Sequence, residues 1–238
     1  MELTLHAPAK VNLTLIVGAR RDDGYHDVST VMQTVGLYDT LTLTEGGSGL
    51  TMTCTDPDLP TDGSNLVLRA AALFCQELHL PVPDLHLHLQ KRIPSQAGLG
   101  GGSSDAAAVL RAMRTLYAPE VSDAELERMA ATLGSDVPFF IRGGTALATG
   151  RGERLTPLPR LTEGRFVVVK PPEGFSTPAM YRRLDELPPQ PPQPDGMTAA
   201  LGAGELHAVA AALCNSFERA VPPDSAVWVI REALRAQG

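Results

Sequence analysis

The stretch that decides the fold is Pro94-Ser95-Gln96-Ala97-Gly98-Leu99-Gly100-Gly101-Gly102-Ser103-Ser104-Asp105-Ala106-Ala107-Ala108. Its four glycines and two adjacent serines come directly before an alanine-rich helical pattern. Glycines have no Cβ atom, so the backbone can come close to a ligand. The helix that follows offers unpaired N–H groups and the positive end of its dipole to phosphate oxygens. The stretch therefore predicts a phosphate-binding loop, and the alternative is a turn in which Ser103 or Ser104 caps the helix.

Neither of the two common phosphate-binding templates fits this loop. A Walker A loop has a lysine directly before its hydroxyl residue, and no lysine precedes Ser103. A dinucleotide-binding fingerprint needs a third glycine at the position of Ser103 and an acidic residue after the next strand. The acidic residues downstream lie in or near helical pattern, at Glu120, Asp123, Glu125 and Glu127. The loop alone therefore leaves the identity of its ligand open.

Length and composition limit the classes of protein to which the chain can belong. A chain of 238 residues can form one large domain or two small ones. Its formal net charge of -7 argues against a general binder of nucleic acid or anionic membranes, so local geometry has to hold any anionic ligand. The three cysteines, Cys54, Cys75 and Cys214, match neither a metal-binding pattern nor a disulfide framework. Without a leader sequence or a long apolar run, the expected compartment is the cytoplasm.

Periodicity in the sequence predicts a mixed α and β organisation. Alternation of apolar and polar residues predicts strands over residues 3–5, 11–17, 41–44, 50–53 and 85–89. A helical period predicts helices over residues 65–78, 104–116, 122–133, 204–212 and 225–236, the third of them with a capping box at Ser122 and Glu125. Short strands are expected at 146–149 and 166–170, and the proline-rich residues 187–195 predict a loop.

Three further segments carry residues suited to chemistry. The strand pattern of Pro8-Ala9-Lys10-Val11-Asn12-Leu13 puts Lys10 and Asn12 on one face. The segment Asp22-Asp23-Gly24-Tyr25-His26-Asp27 begins with an Asp-Gly turn signal. The ring of Tyr25 can stack on a nucleobase, and the imidazole of His26 can form hydrogen bonds with the edge of that base. A polar turn containing Asp136 leads into an apolar run in Gly134-Ser135-Asp136-Val137-Pro138-Phe139-Phe140. The structural alternatives are a solvated strand face, a hairpin turn and a helix N-cap, respectively.

Together, the glycine loop and the segments around Lys10 and Asp136 resemble the motifs of the GHMP small-molecule kinases. The resemblance implies an α+β fold with two domains. An N-terminal ATP-binding domain with a left-handed βαβ crossover would span residues 1–155, and a smaller α+β domain would span residues 156–238. It also implies ATP with Mg²⁺ as the phosphate donor. Asp23-Gly24-Tyr25-His26 narrows the resemblance to members that phosphorylate the 2-hydroxyl of a cytidine-diphosphate-linked methylerythritol in the non-mevalonate isoprenoid pathway.

The same resemblance implies a role for each matching residue. Asp136 would accept the proton of the attacking hydroxyl, and Lys10 would orient Asp136 and balance its charge. The nucleotide would be bound by Asn65, Lys91, Pro94, Gly98, Leu99, Gly100, Gly101, Gly102, Ser103 and Ser104. The substrate would be bound by Asn12, Tyr25, His26, Phe175 and Thr177, with the cytosine between the rings of Tyr25 and Phe175. The alternative for Phe175 is packing on its own domain, and the sequence marks no dedicated magnesium site.

The sequence departs from the family's pattern at its end. Family members continue into a third glycine-rich motif, and no Gly-Ser-Gly follows Asn215-Ser216-Phe217-Glu218. We therefore expect a C-terminal domain without its last strands, a retained nucleotide cradle and impaired turnover. Two alternatives stay open: another GHMP kinase, acting on an alcohol such as homoserine or mevalonate, and a catalytically silent nucleotide-binding module. The expected partner is a small molecule rather than a nucleic acid or a membrane, and the sequence does not indicate an oligomeric state.

Overall fold

The computed structural model describes residues 1–161, 164–188 and 196–237, and the chain divides into two compact units. The first unit comprises Met1–Val11, Gln33–Ser95 and Leu99–Ala146, and the second comprises Asn12–Met32, Gln96–Gly98 and Leu147–Gly238. Three strands run from one unit into the other: β1 (Glu2–Arg20), β2 (His26–Glu45) and β5 (Thr145–Thr149). Both units are thus discontinuous in sequence, and the domain boundary after residue 155 stays a prediction.

The sheet of the first unit has the strand order β3-β4-β2-β1, in which β3 is Leu50–Cys54 and β4 is Leu85–Gln90. β4 is antiparallel to β2 and parallel to β3. Leu41 lies opposite Leu89 and Leu43 opposite Leu87, and all four side chains are buried. The predicted alternation is therefore correct, because it places one leucine face of the sheet in the core.

Four helices belong to the first unit: α1 (Leu66–Glu77), α2 (Gly101–Tyr117), α3 (Asp123–Leu133) and α4 (Phe139–Arg142). α1 connects the parallel strands β3 and β4 and so forms the expected βαβ unit. The predicted capping box of α3 is present. α2 begins at Gly101 rather than at residue 104, because Gly100 takes the N-cap position in a left-handed conformation. Ser103 and Ser104 therefore lie inside the first turn and do not cap the helix.

The second unit contains β6 (Arg154–Leu158) and β7 (Cys214–Asn215), and β7 pairs in parallel with β1 through Thr14 and Leu15. Its helices are α5 (Thr177–Asp185), α6 (Gly196–Ala203), α7 (Leu206–Ala211), a 3-10 turn (Ser216–Ala220) and α8 (Ala226–Arg235). The last predicted helix is confirmed, with Ser225 as its N-cap. α5 and α6 are helices that the sequence pattern did not predict.

The strand expected at residues 166–170 was a wrong prediction. Phe166, Val167, Val168 and Val169 are between 40% and 74% exposed and have no strand conformation. β-Branched residues favour a strand only when a neighbouring strand accepts their backbone hydrogen bonds. No such neighbour pairs with them among the described residues. Residues 189–195 of the predicted loop lie outside the described residues. In the described ranges, no helix has the length and apolar character needed to cross a membrane.

Candidate active site

The glycine loop is held in a backbone conformation that favours glycine. Gly98 and Gly100 have φ angles of +71° and +72°. A Cβ atom on Gly100 would lie 2.7 Å from Cζ of Phe140 and 3.1 Å from Cγ of Lys10, whereas a Cβ atom on Gly98 would meet nothing within 4 Å. Gly100 is therefore required for both conformation and space, and the loop packs closely on β1 and α4.

The first turn of α2 supplies hydrogen-bond donors at this loop. The N–H of Ser104 donates to the carbonyl of Gly100 at 2.9 Å, so the helical ladder begins there. The preceding N–H groups of Gly101, Gly102 and Ser103 have no intrahelical acceptor by helix geometry. Ser104 is fully buried, and its Oγ has no hydrogen-bond partner among the described residues. This arrangement provides the backbone donors and the dipole that an oxyanion requires.

Lys10 and Asp136 meet beside the loop. The N–H of Lys10 donates to the carbonyl of Leu99 at 2.9 Å, and Nζ of Lys10 lies 3.6 Å from Oδ2 of Asp136. The side chain of Lys10 is 8% exposed, whereas that of Asp136 is 41% exposed and can meet a ligand. The alternative of a solvated strand face was therefore wrong for Lys10. The N-cap alternative was also wrong for Asp136, because Pro138 occupies the N-cap of α4.

A buried ionic cluster lies under the loop. The ammonium of Lys91 donates to Oδ2 of Asp39 and, at 2.9 Å, to Oδ2 of Asp105. Oδ1 of Asp39 accepts from the N–H groups of Arg92 and Ile93 at 2.5 and 2.8 Å. A Cβ atom on Gly101 would lie only 3.2 Å from Nζ of Lys91, so the cluster directly supports the first turn of α2.

The cluster shifts the pKa of two of its members. Burial raises the pKa of Asp105 to about 7. The attraction of Lys91 lowers this pKa, and the negative charge of Asp39 raises it by a smaller amount than burial does. Burial alone would lower the pKa of Lys91, but its attraction to Asp105 and its hydrogen bonds with both carboxylates give a net rise. The ammonium of Lys91 thus binds two carboxylates of the protein. Its contact with the nucleotide stays a prediction.

Asn65 and Pro94 also belong to the first unit. Asn65 is the N-cap of α1: its Oδ1 accepts from the N–H of Val67 at 2.9 Å, and its Nδ2 donates to the carbonyl of Pro60 at 2.7 Å. An open groove is lined by Thr55, Asp56, Pro57, Lys91, Arg92, Ile93, Pro94 and Ser95. The groove shares Lys91 with the buried cluster, so it begins beside the glycine loop.

In the second unit, His26 is fixed on two sides. Its Nε2 lies 2.7 Å from Oδ1 of Asp185, and its ring stacks on Tyr181 with a centroid distance of 4.9 Å and an interplanar angle of 19°. Tyr181 in turn makes an edge contact with Phe217 at 5.1 Å. Tyr25 is 52% exposed, and the guanidinium of Arg151 lies 3.9 Å from its ring centroid.

The remaining predicted substrate residues are also in the second unit. Nδ2 of Asn12 donates to Oγ1 of Thr30 at 2.6 Å. Thr177 is exposed at the first position of α5. Phe175 is half-buried and makes no ring contact among the described residues, so the predicted cytosine sandwich stays a prediction.

The sequence reasoning missed Tyr181 and Asp185. They are four residues apart on α5, which places both on one face of the helix. That spacing was a usable signal, but the helix itself was not predicted from the sequence.

Comparisons with known proteins agree with this geometry. Residues 65–144 match the family described as GHMP kinases N terminal domain. A 4-diphosphocytidyl-2-C-methyl-D-erythritol kinase of Streptomyces coelicolor is 42% identical over 228 residues, which cover 92% of this chain and 76% of that protein. An enzyme of the same name from a Nocardioides species is 45% identical over 225 residues, covering 91% and 75%. The chain thus spans about three quarters of the length of these relatives.

Solved structures are similar as well. A crystal structure of 4-(cytidine 5'-diphospho)-2C-methyl-D-erythritol kinase is 40% identical with a TM-score of 0.69, covering 85% of this chain and 72% of that chain. A homoserine kinase from Cytophaga hutchinsonii is 17% identical with a TM-score of 0.62, covering 90% and 71%, and shows the fold alone.

The glycine loop at the start of α2 and the lysine–aspartate pair against it define a small-molecule kinase of the GHMP class. Within this class, the chain belongs to the 4-diphosphocytidyl-2-C-methyl-D-erythritol kinase family. It is therefore an enzyme that uses ATP, and the expectation of an α+β GHMP kinase fold is confirmed.

Proposed function

We propose that this chain transfers the γ-phosphate of ATP to the 2-hydroxyl of 4-diphosphocytidyl-2-C-methyl-D-erythritol. The observation that carries the proposal is the Lys10–Asp136 pair, which lies beside a loop built to bind phosphate. The identity of the alcohol is supported by the names of the relatives and by Tyr25 and His26, whose rings suit a nucleobase.

The phosphates of ATP would lie against the loop from Gly98 to Ser103. The N–H groups of the first turn of α2 would donate to their oxygens, and the helix dipole would take the place of a Walker lysine. The absence of a side chain at Gly100 allows the close approach. The nucleoside part would extend into the groove beside Lys91 and Pro94.

Asp136 would accept the proton of the attacking hydroxyl. Its carboxylate is accessible to a ligand and lies next to the ammonium of Lys10, whose side chain is buried. Phosphoryl transfer passes through a loose transition state, so positioning and charge stabilisation matter more than the strength of the base. Lys10 would hold Asp136 in place and would itself be held by Leu99 of the loop. The base and the phosphate cradle are thereby linked through one residue.

We propose Mg²⁺ as the ion that accompanies ATP and neutralises charge on its phosphates. This ion usually keeps several waters and is bound by phosphates with one or two protein oxygens. Ser104 Oγ and Asp105 Oδ1 are buried oxygens at the start of α2 without a hydrogen-bond partner among the described residues, and they are the candidate ligands. The described ranges contain no group of three or more metal-ligating side chains.

A coupled assay of ADP release tests the proposed function. We expect the 238-residue chain to release ADP with 4-diphosphocytidyl-2-C-methyl-D-erythritol, at the impaired rate that its sequence predicts, and hardly at all with homoserine or mevalonate. His26→Ala should weaken the preference for the cytidine compound. Faster turnover of homoserine or mevalonate would overturn the assignment of the substrate.

We also propose the cytoplasm as the compartment of this protein, because its co-substrate is ATP.

A further inference from the structure

The hydrogen-bond partner of His26 determines which ring nitrogen carries a hydrogen. Nε2 of His26 lies 2.7 Å from Oδ1 of Asp185. A carboxylate only accepts hydrogen bonds, so Nε2 is the protonated nitrogen. In the neutral ring, Nδ1 is then an acceptor. The hydrogen bond of the His26 ring among the described residues is made by Nε2, so the acceptor at Nδ1 can take a donor from a ligand.

One helix fixes both the edge and the face of the His26 ring. Asp185 bonds its edge and Tyr181 stacks on its face, and the two residues are one turn apart on α5. Oδ2 of Asp185 lies 4.0 Å from Nη1 of Arg20, which helps to hold the carboxylate in place. The His26 side chain is only 8% exposed, so the ring has little freedom to turn over.

We propose that Asp185 determines base specificity: it holds His26 in the tautomer whose free nitrogen accepts a hydrogen bond from the exocyclic amino group of cytosine. The inference rests on the proposed function, because it takes a cytidine diphosphate group as the ligand. Uracil carries a carbonyl oxygen at the same ring position, so two acceptors would face each other. The N3–H of uracil lies one ring atom away and points in a different direction.

The expected discrimination follows from the cost of an unpaired polar group. A partly buried acceptor that loses its donor weakens binding on the order of 10- to 100-fold. Asp185 acts through His26 and does not need to touch the ligand. It is therefore a positioning residue whose effect should appear in the ratio between two bases rather than in the binding of ATP.

Calorimetric titration with cytidine diphosphate and with uridine diphosphate tests this inference. We expect the 238-residue chain to bind cytidine diphosphate at least about 10-fold more tightly than uridine diphosphate. Asp185→Asn should remove most of this preference, because an amide can face Nε2 with either its donor or its acceptor. Glu186→Gln is the matched control, since it removes the same charge from the next residue, and should keep the preference.

Two results would overturn the inference: equal affinity of the unaltered chain for the two diphosphates, or an unchanged preference in Asp185→Asn. If that variant does not fold, the ¹⁵N chemical shifts of the His26 ring in the unaltered chain decide. They should report hydrogen on Nε2, and hydrogen on Nδ1 alone would contradict the inference. Failure of the proposed function would show separately, as absence of ADP release with the cytidine-linked alcohol.

Discussion

Nζ of Lys91 donates a hydrogen bond to Oδ2 of Asp105 across 2.9 Å, and this buried ion pair ties the end of β4 to the helix that begins in the glycine loop. Asp39 binds the same ammonium and so places two carboxylates around one cation. The cluster lies against Gly101, in the part of the chain that would hold phosphate.

The first prediction concerns stability and pH. Burial raises the pKa of Asp105 from 3.8 to about 7, so between these values the folded chain holds a proton that the unfolded chain has lost. The contribution of Asp105 to the free energy of unfolding is fully present below about pH 4 and is lost as pH rises through about 7. The free energy of unfolding of the unaltered chain, minus that of Asp105→Asn, should therefore fall between pH 5 and pH 8. The fall should be at most ~1.4 kcal/mol per pH unit.

Urea unfolding at four pH values between 5 and 8 measures this difference. Asp123→Asn is the control, because a hydrogen bond from Arg114 lowers the pKa of Asp123 and its contribution should be constant in this range. Equal pH slopes for the unaltered chain and Asp105→Asn would refute the assignment.

The second prediction compares two glycines of the loop. Gly98→Ala should destabilise the chain by about 1–2 kcal/mol, the cost of a left-handed conformation. Gly100→Ala should cost a further ~1–3 kcal/mol, because its Cβ atom would also collide with Phe140 and Lys10. Thermal unfolding measures both, and a Gly100→Ala variant no less stable than Gly98→Ala would contradict the packing described here.

The third prediction separates two roles of Asn65. Asn65→Ala should lower stability by ~1 kcal/mol because the N-cap of α1 is lost, whereas Asn65→Ser keeps a capping oxygen and should restore most of it. If Asn65 also contacts the nucleotide, both variants should weaken ATP binding. ATP affinity unchanged in Asn65→Ser would leave only the capping role.

The fourth prediction concerns the aromatic residues of the second unit. Tyr181→Leu should weaken binding of cytidine diphosphate about 2- to 10-fold, because it removes the ring on which His26 stacks. Tyr38→Leu, which removes the ring in contact with His6 in the first unit, is the matched control and should change the affinity less than twofold. Calorimetry with each variant measures the effect. An affinity for cytidine diphosphate that is unchanged in Tyr181→Leu would contradict the role of this ring.

Local patterns made much of the first unit predictable. Leucine alternation predicted residues 41–44 of β2 and residues 85–89 of β4. The capping box of Ser122 and Glu125 marked the start of α3, because a side-chain cap acts within three residues. The glycine loop was recognisable because a phosphate-binding loop is built from backbone groups that adjoining glycines leave accessible.

The rest depended on contacts between distant residues. The start of α2 was misplaced because Gly100 takes a left-handed cap that sequence spacing does not reveal. Asp39 was missed because only the fold brings it to Lys91, which lies far from it in sequence. Tyr181 and Asp185 were missed because no helix was predicted over α5. Residues 166–170 were assigned to a strand without knowledge of a partner strand.

The most direct test of the kinase mechanism is the turnover of Asp136→Asn, measured together with its dissociation constant for ATP. If Asp136 accepts the proton of the hydroxyl, kcat should fall by about 10²- to 10⁴-fold while the dissociation constant stays nearly unchanged. Ser135→Ala, in the same turn, should retain the turnover of the unaltered chain. An Asp136→Asn variant that releases ADP at the unaltered rate would contradict the account.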